Sequence, residues 1–290
     1  MLTLLFDGVA YGMLLFVLAV GLAVTLGLMN FINLAHGAFA MAGGYTTVLL
    51  MNKMGVPFLA TLPIAFLVSA AAGALLERTL YRPMYAKPHL DQVLFSIGLV
   101  FMTVAAVDYF IGSQQQIMQL PSYLKGRFDL GAANDYIGIG KYRFFIIVVC
   151  ALLTVVLQMV LSRSRFGSRL RAAVDDPRVA SGLGIDVNRV FLLTFAVGSG
   201  LAGLGGALGA EILGLDPTFP LKFMIYFLIV VSVGGTTTIT GPLLAALLLG
   251  IADVAGKYYV PKLGAFIVYA LMILILVWRP QGLFGRGAAK

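Results

Sequence analysis

Nine apolar stretches recur along this chain, at about 7–28, 35–51, 57–77, 92–111, 142–161, 189–213, 222–234, 241–256 and 262–278. A helix needs roughly 17–25 apolar residues to cross about 30 Å of hydrocarbon. Only helices and closed barrels satisfy their own backbone polar groups there. The pattern therefore predicts an all-α fold, a polytopic transmembrane helical bundle of about 8–10 spans forming one domain over residues 1–290. The stretches at 35–51, 222–234 and 241–256 fall near or below crossing length, which marks them as candidates for discontinuous or re-entrant helices.

Two polar interruptions stand out against this background. The first, LMNFINLAHGAF over residues 28–39, sets Asn30, Asn33, His36 and Gly37 inside an otherwise oily run. Polar groups at membrane depth are tolerated where they face a cavity, and transporters place the starts of broken helices there. Asn33 is a candidate cap for a helix beginning near Leu34, with His36 in its first turn beside a pathway. The plainer alternative is capping at the membrane interface. The second interruption, GGTTTITGP over 234–242, precedes another small-residue helix. Its Thr236, Thr237 and Thr238 are candidates to line a pathway, or to bond back to nearby helix carbonyls. Interruptions in both halves, each opening a short helix, suggest a weak internal repeat. Ionisable residues within spans are costly and so are functional candidates; Asp253 lies inside the eighth stretch, with Lys257 one turn later as a potential partner. Asp108 and Glu211 fall near span ends.

Composition narrows the function class. Of 290 residues, 60% are hydrophobic and 11% charged, which excludes an ordinary soluble domain. The formal charge of +8 arises from Lys and Arg beside apolar spans, where they set topology rather than bind nucleic acid. Residues 162–189 hold six arginines, and alternation groups them with Arg78, Arg82, Lys87, Arg279, Arg286 and Lys290, twelve of the twenty basic residues. The rule places that side in the cytoplasm and predicts nine crossings with an outside N-terminus. The first apolar run reads as a retained span. Residues 112–141 then form the longest extracytoplasmic loop, a candidate docking surface or an ordinary covering loop.

Enzyme motifs fail in context. GSGLAG at 198–203 has dinucleotide-loop spacing but lies inside a lipid-length helix, where Gly198, Ala202, Gly206 and Ala210, with Ser199, Gly203 and Ala207, make two packing stripes. GIADVAGKYY departs from a Walker loop in spacing and lacks its final hydroxyl residue. His36 and His89 have no partners at metal-ligand spacing, so no metal is expected. Cys150 has no second cysteine.

The loop at 162–189 carries more structure than a topology signal needs. Asp176 before Pro177 is a helix N-cap, and Gly184 stands where a short helix would end. SRLRAAV from Ser168 forms another short basic helix. Two such helices, carrying Arg169, Arg171 and Arg178, read as a lever that docks into another subunit or as a lipid-contacting loop.

NLAHG at 33–37, ERTLYRP at 77–83, RAAVDDPRVASGLGI at 171–185 and RPQGLFG at 279–285 together resemble the signature stretches of LivH-type permeases, the membrane subunits of branched-chain amino-acid and urea or amide ABC importers. The resemblance implies a permease that pairs with a second permease subunit, LivM-like or a copy of itself. It also implies two ATP-binding subunits, which carry ATP and Mg, an extracytoplasmic solute-binding protein, and the bacterial inner membrane. No cofactor is implied for this chain. By the same resemblance, 162–189 is the ATPase-coupling loop. The sequence departs from the family pattern at Ala38, where an acidic residue is frequent, and in the threonines of the second interruption. Both departures bear on the solute. An ion-coupled secondary carrier is the alternative class, kept open by Asp253.

Overall fold

The computed structural model describes residues 1–29, 31–130, 137–235, 238–280 and 282–283. Each of the nine apolar stretches is a helix: α1 (Leu2–Met29), α2 (His36–Met54), α3 (Phe58–Leu76), α4 (His89–Ile111), α5 (Lys141–Arg163), α8 (Val187–Leu213), α9 (Phe219–Gly234), α10 (Thr240–Tyr259) and α11 (Gly264–Trp278). Two short helices, α6 (Arg165–Asp175) and α7 (Pro177–Gly182), fill the arginine-rich loop. Six of the helices, one of them α10, are long and apolar enough to cross a membrane. The expectation of a short span at 241–256 is thus corrected, because α10 gains a turn at its C-terminal end and reaches 20 residues. The all-α expectation also omitted an antiparallel hairpin, β1 (Arg127–Leu130) with β2 (Ile137–Gly140).

Helix α8 forms the hub, packed against α1, α2 and α3. Its two small-residue stripes divide the work. Gly198 meets Gly21 of α1, and Gly206 lies on the carbonyl of Ala40 of α2. Gly203 contacts Ser69 of α3, where a methyl group would find no room, and Ser199 packs on Gly73 of the same helix. Lipid tails are as apolar as leucine, so the oil-water preference does little to join helices inside a bilayer. Close backbone approach and dispersion do instead. The side chains left outside are large and apolar, such as Leu67 on α3, Phe101 and Met102 on α4, Leu152 and Val155 on α5, and Leu274 on α11.

Helices α1 and α10 run antiparallel. Gly8 lies on Ile251 and Gly12 on Ala246 and Leu247, and at the far end the Tyr259 hydroxyl reaches Met1 Sδ at 2.8 Å. The α1 N-terminus shares one end of the bundle with the hairpin, where it packs against β2 and Asp7 pairs with Arg143 in the first turn of α5. Exposed Tyr109, Phe110, Tyr258 and Tyr259 end α4 and α10, as interfacial aromatic residues do. Helices α6 and α7 occupy the other end, where Leu170, Ala173 and Val190 form a small apolar cluster between α6 and α8.

Candidate functional site

The first interruption turns back into the bundle. Nε2 of His36 donates to the carbonyl of Leu18 at 2.9 Å, which fixes the tautomer with the proton on Nε2. Leu18 lies eleven residues before Met29, about 16 Å along α1 at 1.5 Å per residue. Helix α2 therefore starts deep beside α1, not at its end. Gly37 abuts the backbone of Pro220 at the start of α9, so no side chain fits there.

Asn33 does not cap α2. That helix starts at His36 with Ala35 at the cap position and no side-chain capping bond; the carbonyl of Asn33, not its amide, accepts from His36 N at 3.3 Å. The amide is instead buried at 1% exposure. Its Oδ1 accepts from the Tyr81 hydroxyl at 3.0 Å, and its Nδ2 has no partner. Tyr81 ends a π-helical turn, Glu77–Tyr81, that continues α3. The same region grips the rest of the interruption. Phe31 packs edge-on against Tyr81 and Tyr85, each at 5.4 Å between ring centroids. Ile32 N donates to Gln92 Oε1 at 3.2 Å, and Gln92 Nε2 donates to the Lys87 carbonyl at 3.1 Å. Gln92 thus ties the α1–α2 connection to the α3–α4 turn.

The second interruption is held by different partners. Gly235 adopts φ +80°, and Gly234 is pressed against Gly241 and Pro242. Thr236 and Thr237 lie outside the described residues. The Thr238 hydroxyl oxygen accepts from Gly241 N and from the Thr240 hydroxyl, both at 3.3 Å, and so serves the first turn of α10. From the far end of the chain, Leu283 N donates to the Val233 carbonyl at 2.7 Å, and Gly282 fits against Ser232 and Gly235. The stretches ERTLYRP and RPQGLFG therefore each close on one interruption.

The arginine-rich segment begins beside that second interruption. A cavity of about 330 Å³ is lined by Thr238 and Thr240, by Ala23 and Val24 of α1, and by Leu170 and Arg171 of α6. The guanidinium of Arg171 donates to the Leu161 carbonyl near the end of α5. Asp176 Oδ1 accepts from Arg178 N at 2.8 Å and Val179 N at 3.0 Å, the expected cap, with Pro177 at the first helical position. Gly184 takes φ +81° just after α7. Arg169 of α6 and, in and just after α7, Arg178, Val179 and Leu183 are exposed, so the α6–α7 pair presents a mixed basic and apolar face.

Asp253 stands apart from both interruptions. Its carboxylate is 3% exposed and pairs with Lys257 Nζ at 2.6 Å, beside Tyr11 and Tyr226. Tyr11 lies seven residues, about 10 Å along α1, from the Leu18 carbonyl that His36 reaches. The proposed pathway residues thus fall into three separate places. Asp108 and Glu211 are exposed near their helix ends. In the α8–α9 link, burial opposes ionisation of Asp216. The Lys222 ammonium and the hydroxyl and N–H of Thr218 outweigh it and hold the carboxyl below its ordinary range.

The sequence singled out Tyr81, Gly282 and Leu283 only as members of ERTLYRP and RPQGLFG, with no role for each, and Gln92 not at all, although a polar residue just inside an apolar run is a readable signal.

The family described as branched-chain amino acid transport system / permease component matches residues 4–276. The chain is 30% identical to the high-affinity branched-chain amino acid transport system permease protein BraD of Pseudomonas aeruginosa, covering 97% of this chain and 95% of that one. It is 29% identical to LivH of Escherichia coli K12, over 97% and 94% of the two chains. With LivM of the same organism it shares 29% identity over 93% of this chain and 68% of the relative. No solved structure matches it.

Proposed function

Because this chain belongs to the branched-chain amino acid transport permease family, we propose that it is the membrane permease of an ATP-driven importer for a branched-chain or related amino acid. It is a multi-pass membrane protein, and the bacterial relatives support the inner membrane as its site. In this reading the α6–α7 end faces the cytoplasm. Two ATP-binding subunits dock there and supply ATP and Mg, while a solute-binding protein delivers the amino acid to the hairpin end. A second permease completes the membrane unit. Similarity to both LivH and LivM supports a pair of related permeases.

One observation carries the mechanism: a single cavity is walled by Arg171 of the lever and by Thr238 and Thr240 of the second interruption. A displacement of α6 by a docked ATPase changes that wall directly, and α10 starts from it. An ion-coupled carrier would want a carboxylate free to take the coupling ion; Asp253 Oδ2 is paired with Lys257 while its Oδ1 is buried without a hydrogen-bond partner, so the dependence of uptake on ATP or on an ion gradient decides between the two.

The test is uptake into vesicles containing the chain with its co-expressed ATPase, second permease and binding protein. Internal ATP should drive L-leucine uptake with no ion gradient, and Arg169→Glu with Arg171→Glu should leave ATP hydrolysis running while uptake falls. Uptake that follows an ion gradient and ignores ATP rejects the importer. Unchanged coupling in the double variant rejects the lever.

A further inference from the structure

We propose that a second cavity, at the hairpin end of the bundle, binds a zwitterionic α-amino acid and serves as a vestibule for the transported solute. The choice of ligand rests on the importer reading above. The cavity holds about 500 Å³ between the hairpin, the starts of α1 and α5 and the end of α8, within the roughly 300–1,000 Å³ of ordinary ligand sites.

Its walls bring together two carboxylates, Asp7 and Glu211, and three cations, Lys125, Arg127 and Arg143. An ionic clasp that merely fastened the hairpin to the bundle would pair them off. Of these five groups only one pair is within 4 Å among the described residues, Arg143 with Asp7 Oδ2. Asp7 Oδ1 is buried with no hydrogen-bond partner, and Glu211 meets Arg143 only at longer range. Lys125 and Arg127 have no carboxylate within reach among the described residues.

Among the described residues, Glu211, Lys125 and Arg127 thus have no close partner of opposite charge and Asp7 keeps one oxygen free, and charges of both signs around one cavity describe a complement. An inorganic anion would use only the cations, and a metal ion only the acids. An α-amino acid uses both: its ammonium between Asp7 and Glu211, its carboxylate on Arg127 and Lys125, where a guanidinium can bind it in bidentate fashion. Leu120, Leu124 and Ile212 supply an apolar wall for an aliphatic side chain, and Leu124 is only 8% exposed. Lys125, Arg127 and Glu211 are exposed, whereas the buried Oδ1 of Asp7 makes the contact to the ammonium stronger than its value in open water.

The experiment measures equilibrium binding to the purified permease complex in lipid nanodiscs, without the solute-binding protein. Three probes are used: L-leucine, L-leucinamide, which lacks the carboxylate, and 4-methylpentanoate, which lacks the ammonium. L-Leucine should bind about tenfold or more tighter than either analogue, the size of one lost charge-assisted contact. Glu211→Gln should erase most of the preference over 4-methylpentanoate, and Arg127→Gln most of the preference over leucinamide. Lys125→Gln, outside the strands, repeats the second test if Arg127→Gln disturbs the hairpin. Equal binding of the three probes, no binding of leucine, or unchanged preferences in the variants each overturn the assignment. ATP-driven uptake with the binding protein restored, measured on the same preparations, reports separately on the importer reading.

Discussion

Replacing Tyr81 with phenylalanine removes one oxygen from a place where nothing can substitute for it. Tyr81 is fully buried, and its hydroxyl is the partner of Asn33 Oδ1 at 3.0 Å. The amide nitrogen of Asn33 is already unpartnered, so Tyr81→Phe leaves the whole amide unsatisfied at 1% exposure. Side-chain hydrogen bonds in helical membrane bundles contribute about 0.6 kcal/mol on average and about 1.7 at most. Stripping a buried polar group of its last partner costs roughly 1–3 kcal/mol. The overlap of these ranges sets the expectation at about 1–2 kcal/mol, a factor of about 5–30 in the folding equilibrium. Asn33→Leu removes the need for the partner, so adding Tyr81→Phe to Asn33→Leu should cost little. The assay is a double-mutant cycle by reversible unfolding of the purified chain in mixed micelles of increasing SDS fraction. A coupling energy of about 1 kcal/mol or more is expected. Additive costs, with coupling near zero, would refute the claim that Tyr81 holds the first interruption through Asn33.

Three further outcomes follow from other sites. Gly206→Ala should cost about 1–3 kcal/mol through overpacking, because its methyl group would enter the Ala40 carbonyl, whereas Gly98→Ala, with nothing within 4 Å, should be neutral or stabilising by up to about 1 kcal/mol; thermal unfolding in detergent compares the two. Asp176→Ala should remove about 1 kcal/mol of α7 stability and raise proteolytic cleavage at 177–184, seen by mass spectrometry, while Asp176→Asn retains most of the cap. Asp216 carries the pH dependence. Its carboxyl lies below the ordinary range when folded, so its contribution is present above the unfolded value of about 3.9 and lost as pH falls through the lower folded value. Wild type should therefore lose more stability than Asp216→Asn as pH is taken from 5 to about 2, and parallel curves would exclude that contribution.

Much of this architecture is legible in the chain because its physics is local. An apolar run of crossing length has few options besides a helix, and Asp176, Pro177 and Gly184 announce a short helix by backbone chemistry alone. The depth of the first interruption was legible too, since Asn33 and His36 are costly in lipid unless something satisfies them. What satisfies them was not legible. Tyr81 reaches Asn33 across 48 positions and Gln92 reaches Ile32 across 60, and no local period encodes such pairs. The same holds for Leu283 closing on Val233. The hairpin escaped notice because its strands are four residues each and half of β2 is glycine, a weak β former. Asp253 was legible in part: its Lys257 partner stands one turn on, as the spacing suggested, whereas its separation from the interruptions is set by tertiary packing that position along the chain does not reveal.

The glycine contacts of α8 bear on how such a machine moves. Where backbone touches backbone there is no side chain to swing aside, so α1, α2, α8 and α10, joined at Gly21–Gly198, Gly43–Gly203 and Gly12–Gly250, have little freedom to slide past one another and act as a keel. Helix α3 meets α8 chiefly through the Ser69 and Ser199 side chains, and helices joined in that way can tilt against the keel. Cross-links within the quartet should therefore be tolerated during turnover, while a cross-link from α6 to α10 should stall it.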